Sequence, residues 1–309
     1  MVSISRIVKL PSTKKAVAHR KINPGVWFLL PAIIVVGIFI LYPFLDSVWL
    51  SFQSYVLLGA PPHFIGLQNY IQMIQTGTLW TSLEITAVFV LANTIVQVIG
   101  GFIFAFLLNT KDLWGQRYLR SILLIPHTLT GVVASVLWVQ IFSTHFGIAN
   151  YGLSWFHVPA QDWMLNHPMF VVVVANAWVG LGFAYLLFDA ALQGIPTELY
   201  DAAKVDGAGV WGLVRYVTIP GVRFMMFLVS ILTSLASIGG FAMIYVMTGG
   251  GPLGATNVLG IVMYKTAFSG LSFGLGAAAG VILLLANIIV TLIYIAVLKP
   301  KTFLEGGAT

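Results

Sequence analysis

Catalysis needs a nucleophile, an acid–base pair, a metal cage or a phosphate cradle, and this sequence supplies none of them in a working pattern. It has no cysteine, which excludes thiol catalysis, zinc–thiolate sites and disulfides together. Its histidines (His19, His63, His127, His145, His157 and His167) are dispersed without the spacing of metal ligands, and read as loop and interface residues. There is no Gly-x-x-x-x-Gly-Lys-Ser/Thr run and no His-Glu-x-x-His helix. The run from Gly249 to Gly254 lacks the lysine of a phosphate cradle. A nucleotide would have to be bound by another polypeptide. Two groups of residues remain: a short polar segment around Asp201, and uncharged polar side chains set inside long apolar runs.

The first group is Gly194-Ile195-Pro196-Thr197-Glu198-Leu199-Tyr200-Asp201-Ala202-Ala203-Lys204-Val205-Asp206-Gly207-Ala208-Gly209. Pro196, Thr197 and the early acids are a helix start, and Gly207 is a helix stop. The acids sit at the positive end of the helix dipole. About ten residues are too few to span a membrane. Leu199, Ala202 and Ala203 share one face, and the alanines let another surface come close. The segment continues through Trp211 and Val214 to Val217-Thr218-Ile219-Pro220. As physics alone, the same pattern also describes an ordinary connector covering a helix end.

The second group is Asn93, Thr94 and Gln97, then Ser135, Trp138 and Gln140, then Asn176, Trp178 and Tyr185, then Ser230, Thr233, Ser234 and Ser237. Polar groups within a bilayer are costly and turn toward the bundle interior. Amides, hydroxyls and indoles without charge suit a neutral polyol better than an ion. Ser135, Trp138, Asn176, Trp178, Ser234 and Ser237 are the expected substrate pathway. The competing reading is that serines and threonines bond their own helix backbone and tryptophans anchor at interfaces. Asp189 and Glu84 fall within a turn or two of a helix end, where snorkelling accommodates a charge, against a proton-coupled mechanism. Gly276-x-x-x-Gly280 with its neighbouring alanines forms a small-residue face that packs against a helix of this chain or a partner.

The elements that position these groups are membrane spans. Of 309 residues, 59% are hydrophobic and 8% charged, with a mean hydropathy of +0.96, whereas soluble domains carry about a quarter charged residues. Long uncharged runs predict six helical spans near 26–50, 79–108, 119–142, 169–192, 222–247 and 272–298. Pro31 and Pro43 should bend the first or mark its ends. Every lysine and arginine except Lys265 then falls on one side, including Lys111, Arg120 and Lys204. The positive-inside rule makes that side cytoplasmic, with both termini on it. The net charge of +6 is therefore topological anchoring, and no nucleic-acid partner is expected. The first span is too long and lacks the cleavage site of a secretory signal. The expected organisation is a cytoplasmic segment 1–25, a six-helix domain 26–298 with a cytoplasmic loop at 193–220, and a cytoplasmic tail 299–309.

In that loop, Asp201-Ala202-Ala203, Gly207 and Val217-Thr218-Ile219-Pro220 resemble the EAA loop of ABC-importer permeases. Asp201 replaces the family's Glu, which changes reach and keeps charge; Val217 and Ile219 stand for Ile and Leu. On the opposite side, Met247-Thr248-Gly249-Gly250-Gly251-Pro252, Ala255-Thr256-Asn257-Val258-Leu259 and Tyr264-Lys265-Thr266-Ala267-Phe268 are similar to the signature of carbohydrate-importer permeases, the first-subunit type of the permease pair. The resemblance covers roughly residues 26–300. It implies an all-α, type I permease core of five helices plus one N-terminal helix, in a prokaryotic inner membrane. It implies that Tyr200, Asp201, Ala202, Ala203, Asp206, Gly207, Ile219 and Pro220 couple to an ATPase. It also implies a second permease (a heterodimer), two ATPase subunits carrying ATP and Mg, an extracytoplasmic solute-binding protein, and a sugar or oligosaccharide moved by alternating access. This chain would bind no cofactor and would not itself be an enzyme. The alternatives are a permease of the same fold for a non-sugar solute, and a secondary carrier. A carrier would show an internal repeat, and none is evident.

Overall fold

The structure, a computed structural model, describes residues 25–109 and 114–298. The terminal segments expected at 1–25 and 299–309 lie outside the described residues except for Gly25, and so does Lys111. Contacts divide the chain into two units, Met1–Asp46 and Ser47–Thr309. Helix α1, Leu29–Leu50, begins in the first. It passes through Pro31 without ending and takes a π-helical turn at Gly37–Leu41, just before Pro43. Proline lacks an N–H, and its ring crowds the carbonyl four residues back; a widened turn relieves both. Leu29–Leu50 is long and apolar enough to cross a membrane.

The second unit opens with a loop whose strands β1 (Gln53–Ser54) and β2 (His63–Phe64) pair antiparallel. Helix α2, Gln68–Gln75, is tied to that loop by Asn69, whose amide donates to the carbonyls of Ser51 and Gln53. There follow α3 (Thr78–Leu108), α4 (Gln116–Thr128), α5 (Gly131–Ile141), α6 (Ile148–Ser154), α7 (Trp163–Asn166) and α8 (Pro168–Gln193). After α8 come α9 (Thr197–Val205), α10 (Val210–Gly239), α11 (Phe241–Thr248), α12 (Leu259–Tyr264) and α13 (Phe273–Leu298). Among the described residues α1, α3, α8, α10 and α13 are each long and apolar enough to cross a membrane. The pair α4 and α5, bent by 106° at its break, is apolar enough to make a sixth when counted as one span.

That bend departs from the uninterrupted helix expected over 119–142. Leu129 and Thr130 are extended, and the Thr130 hydroxyl accepts the backbone N–H of Val133 as an N-cap. A cap satisfies an orphan donor at a helix start, so the chain restarts instead of continuing. The fifth span departs too. The expected 222–247 is replaced by α10, which begins at Val210, widens into a π-helical stretch at Val214–Thr218 ahead of Pro220, and stops at Gly239. Gly240 then separates it from α11.

Between membrane helices no hydrophobic drive operates, so close approach and packing decide which surfaces meet. Helices α3 and α8 meet through glycines. A Cβ on Gly101 would lie 2.6 Å from that of Ala184, and one on Gly100 would lie 2.6 Å from a Leu181 methyl. The small-residue face of α13 packs within this chain: Gly276 lies against Ala267, and Gly280 against Met263. Among the described residues three apolar clusters fill the bundle, a smaller one holding Met73, Leu79, Leu259 and Val262. Phe89, Val171, Ile244 and Ile261 belong to a second, and Leu108, Phe188, Val222 and Val229 to a third.

Candidate functional site

Helix α9 is finished by local chemistry. Gly207 takes φ +83°, a left-handed conformation nearly free only to glycine. Its N–H donates to the carbonyl of Lys204, and the N–H of Ala208 donates to that of Ala203. These two bonds are the Schellman closure that satisfies carbonyls at a helix end. Glu198 in the first turn and Lys204 in the last both complement the helix dipole. Asp201 pairs with Lys204 at 3.2 Å, with both side chains mostly exposed. Such a surface pair contributes about 0–1 kcal/mol, so Asp201 stays available to another partner.

The helix is fastened to the bundle on its other face. The Tyr200 hydroxyl lies 3.2 Å from that of Thr218, which is wholly buried and donates to the carbonyl of Leu213. Tyr200 and Ala203 are half-buried, whereas Asp201, Ala202, Asp206, Gly207, Ile219 and Pro220 are exposed. Leu199, Val205, Val210 and Trp211 add exposed apolar area. The arrangement is a short, rigidly capped helix with an acid and an open apolar surface, on the side that carries the basic residues.

Four of the six residues expected along the pathway gather in the region of one residue that sequence reasoning did not single out, Met243. Ser135 donates to the carbonyls of Gly131 and Met243. The Asn176 amide lies 3.8 Å from the Met243 sulfur, and its oxygen faces the Gln97 amide at 3.5 Å. Trp138 and Trp178 meet edge to face at 5.7 Å, and both pack on the cluster that contains Met243. Ser234 belongs to a second group, 2.9 Å from the Thr94 hydroxyl and 3.0 Å from that of Tyr294. Ser237 is buried near it in sequence but bonds to neither group. Ser237 Oγ, Trp138 Nε1 and Asn93 Oδ1 are buried and find no hydrogen-bond partner among the described residues. An unpaired buried polar atom costs about 1–3 kcal/mol, and ligand sites are a common reason to tolerate it. Thr94 and Gln97 stood out in the sequence as polar residues in apolar runs; Tyr294 and Met243 did not.

The two acids separate. Glu84 is exposed in the second turn of α3. Asp189 does not snorkel into solvent: it is 8% exposed and lies 3.5 Å from an Arg120 nitrogen. Arg120 also donates to the carbonyl of Leu108 at 3.0 Å, and the Gln193 amide donates to Asp189 at 2.8 Å. Arg120 reaches Asp189 because α4 packs along α8, with Gly182 against the Leu123 carbonyl and His127 stacked on Phe183. Among the described residues no group of three or more His, Asp and Glu is placed to hold a metal ion.

The glycine loop on the opposite side is an ordered turn. Gly249, Gly250 and Gly254 have φ of +59°, +86° and +83°. The Thr248 and Thr256 hydroxyls meet at 2.7 Å, and Thr256 also donates to the Gly251 carbonyl. The Leu259 N–H donates to Thr86, seating the loop on α3. Leu253 stands fully exposed at its tip.

Comparison with known proteins agrees with this geometry. Residues 97–302 match the family described as binding-protein-dependent transport system inner membrane component. The chain is 30% identical to the trehalose/maltose transport system permease protein MalF of Thermococcus litoralis, over 90% of this chain and 95% of that one. It is 34% identical to the sn-glycerol-3-phosphate transport system permease protein UgpA of Yersinia pseudotuberculosis, over 88% of this chain and 93% of that one. Among solved structures, a bacterial ABC transporter involved in import of the acidic polysaccharide alginate has a chain of the same fold, with a TM-score of 0.77 at 20% identity, covering 89% of this chain and 95% of that one. The polar residues inside the bundle and the short capped helix outside it are thus features of a multi-pass inner-membrane protein, and the chain belongs to the family of ABC-importer permease subunits that work with a binding protein and an ATPase.

Proposed function

We propose that this permease carries a sugar or oligosaccharide, and that α9 is the helix through which a separate ATPase drives it. The observation that carries the reading is α9 itself: capped at Gly207, held by Tyr200 and Thr218, with Asp201 and its apolar neighbours turned outward. The resemblance of Asp201-Ala202-Ala203, Gly207, Ile219 and Pro220 to the EAA loop supports docking into a groove on the ATPase. The full assembly is a heterodimer of permeases on two ATPase subunits that hold ATP and Mg, served by an extracytoplasmic binding protein. ATP binding closes the ATPases and pushes α9; the spans rock from inward- to outward-facing, and hydrolysis resets them. Ser135, Trp138, Asn176, Trp178, Ser234 and Ser237 line the route, with Gln97 and Met243 beside them.

A neutral cargo is favoured by the side chains themselves. Around Met243 they are hydroxyl, amide, indole and thioether, and the half-buried cation Arg120 is engaged by Asp189. Two relatives are described as permeases for trehalose or maltose and for sn-glycerol 3-phosphate, so the contrast is testable. The experiment is ATP hydrolysis and uptake by the reconstituted complex, with Asp201→Lys and Gly207→Pro beside the unaltered chain. A panel of labelled mono- and oligosaccharides and glycerol 3-phosphate is offered to each. Loss of stimulated hydrolysis in both variants, with normal membrane insertion, is expected. Normal coupled transport by both variants would reduce α9 to a connector, and uptake of the phosphate ester alone would overturn the neutral-sugar reading.

A further inference from the structure

The Arg120–Asp189 pair is absorbed neither by the α9 surface nor by the polar cluster around Met243. Asp189 is nearly buried while Arg120 stays about a third exposed, and desolvation of the carboxylate offsets much of the attraction, so the pair recovers little net stability. An ionisable residue inside a membrane bundle therefore points to a task and a partner. Its position suggests the task. Asp189 sits on the last turns of α8, one turn before Gln193, to which it is bonded. Only Gly194, Ile195 and Pro196 separate Gln193 from the start of α9. Arg120 belongs to α4 and reaches both Asp189 and the C-terminal carbonyl of α3, Leu108, where Gln116 also donates. A continuous polar chain thus runs from the end of α3, through α4, to the end of α8 from which α9 hangs.

We propose that Arg120 and Asp189 are positioning residues for coupling, forming a strut that makes the cytoplasmic ends of α3, α4 and α8 move as one body when α9 is displaced. The proposal rests on the reading of α9 as the ATPase-facing helix. The geometry favours a strut over a plain stability contact for two reasons. Arg120 bridges two helices at once. The elements it joins also differ in how they meet: α3 and α8 approach through Gly100 and Gly101, and α4 meets α8 at Gly182, whereas the Arg120 contact to the Leu108 carbonyl links α4 to the end of α3. Without the pair, α4 would keep its apolar contacts with α8 but lose the directional link that fixes its angle.

The test uses the assembled complex, with every accompanying subunit freed of cysteine. This chain has none, so Tyr118→Cys on α4 and Glu198→Cys on α9, both at exposed positions, carry the only spin labels. Their separation is measured without nucleotide and with a non-hydrolysable ATP analogue. In the otherwise unaltered chain one narrow separation is expected in both states. In Asp189→Asn a second separation should appear with the analogue, raised about fivefold or more over its share in the unaltered chain. A plain structural role would lower assembly or Tm without splitting the separation. If Asp189→Asn does not assemble, Arg120→Gln decides, because it removes the other half of the same pair and the link to the Leu108 carbonyl. A single separation in whichever of these variants assembles overturns the strut. Asp201→Lys is run in parallel. Unaltered ATP hydrolysis in Asp201→Lys would bring down the docking reading, whereas a defect there with a single separation in Asp189→Asn would bring down the strut alone.

Discussion

Helix α9 and the polar cluster around Met243 solve opposite problems with opposite means. Everything that defines α9 lies within about twenty residues: a proline-led start, the Schellman closure at Gly207 and the Tyr200–Thr218 contact. The cluster joins Ser135, Gln97, Asn176 and Met243, which are far apart in the chain. The first stands in water and must hold a shape without a core. The second stands in hydrocarbon and must satisfy polar groups without water. A local device fails when one backbone position fails, whereas a distributed one loses its contacts piecemeal. Interhelical hydrogen bonds in membranes are worth on average about 0.6 kcal/mol each.

The strongest test of that contrast is Gly207→Pro. Proline fixes φ near −65°, while the native value is +83°, and it deletes the N–H that bonds Lys204. The closure must open at a cost of about 3 kcal/mol or more, which is expected to lower nucleotide-stimulated hydrolysis by roughly a hundredfold. Gly207→Ala keeps the N–H and meets only the left-handed strain, about 1 kcal/mol; a several-fold loss is expected. Equal effects of the two would mean that the shape of the turn does not matter. Next in size is Gly101→Leu. The new side chain would meet Ala184 and the backbone of Tyr185, and overpacking of this kind costs about 1–3 kcal/mol. The expected result is reduced folded protein in detergent with a lower Tm. An unchanged Tm would show that α3 and α8 slide past one another more easily than their packing implies.

What the sequence disclosed follows the same division. The start at Pro196 and stop at Gly207 were legible because caps are written in adjacent residues. The six spans were legible because charge is excluded from hydrocarbon. The bend after Thr128 was missed although Pro126, Thr130 and Gly131 stand together, because hydropathy averages over residues that capping separates. Asp189 was expected near an interface, and it is; its partner was hidden because Arg120 lies on another helix, and linear distance says nothing about that pairing. Met243 carried no mark at all. It is an apolar residue in an apolar run, and only the break at Gly240 turns it toward Asn176.

Asn176→Leu probes the distributed side. It removes the contacts to Gln97 and Met243 while keeping the side chain close in volume, leaving the Gln97 amide without that partner. The loss is expected at the substrate, about 1–2 kcal/mol of binding. It would be read as a roughly tenfold rise in the concentration for half-maximal uptake with basal ATP hydrolysis unchanged. A fall in basal hydrolysis instead would move Asn176 from the pathway to the framework, and would blur the line between the two regions.

Tyr200→Phe is the mildest change and the most informative about where the regions join. It deletes one oxygen, leaves the ring, and strips Thr218 of its partner on α9 while its bond to the Leu213 carbonyl persists. A hydrogen bond of this type contributes about 0.5–1.5 kcal/mol, so helix α9 should remain folded and capped. Only its tether to the start of α10 weakens. Hydrolysis should therefore change less than twofold, while uptake per ATP hydrolysed falls by about three- to tenfold. Because the missing atom touches neither the outward face of α9 nor the Met243 cluster, such a split would locate transmission at this contact. Equal losses in hydrolysis and uptake would instead mean that Tyr200 serves the docking surface, and that α9 acts on the bundle through α8 alone.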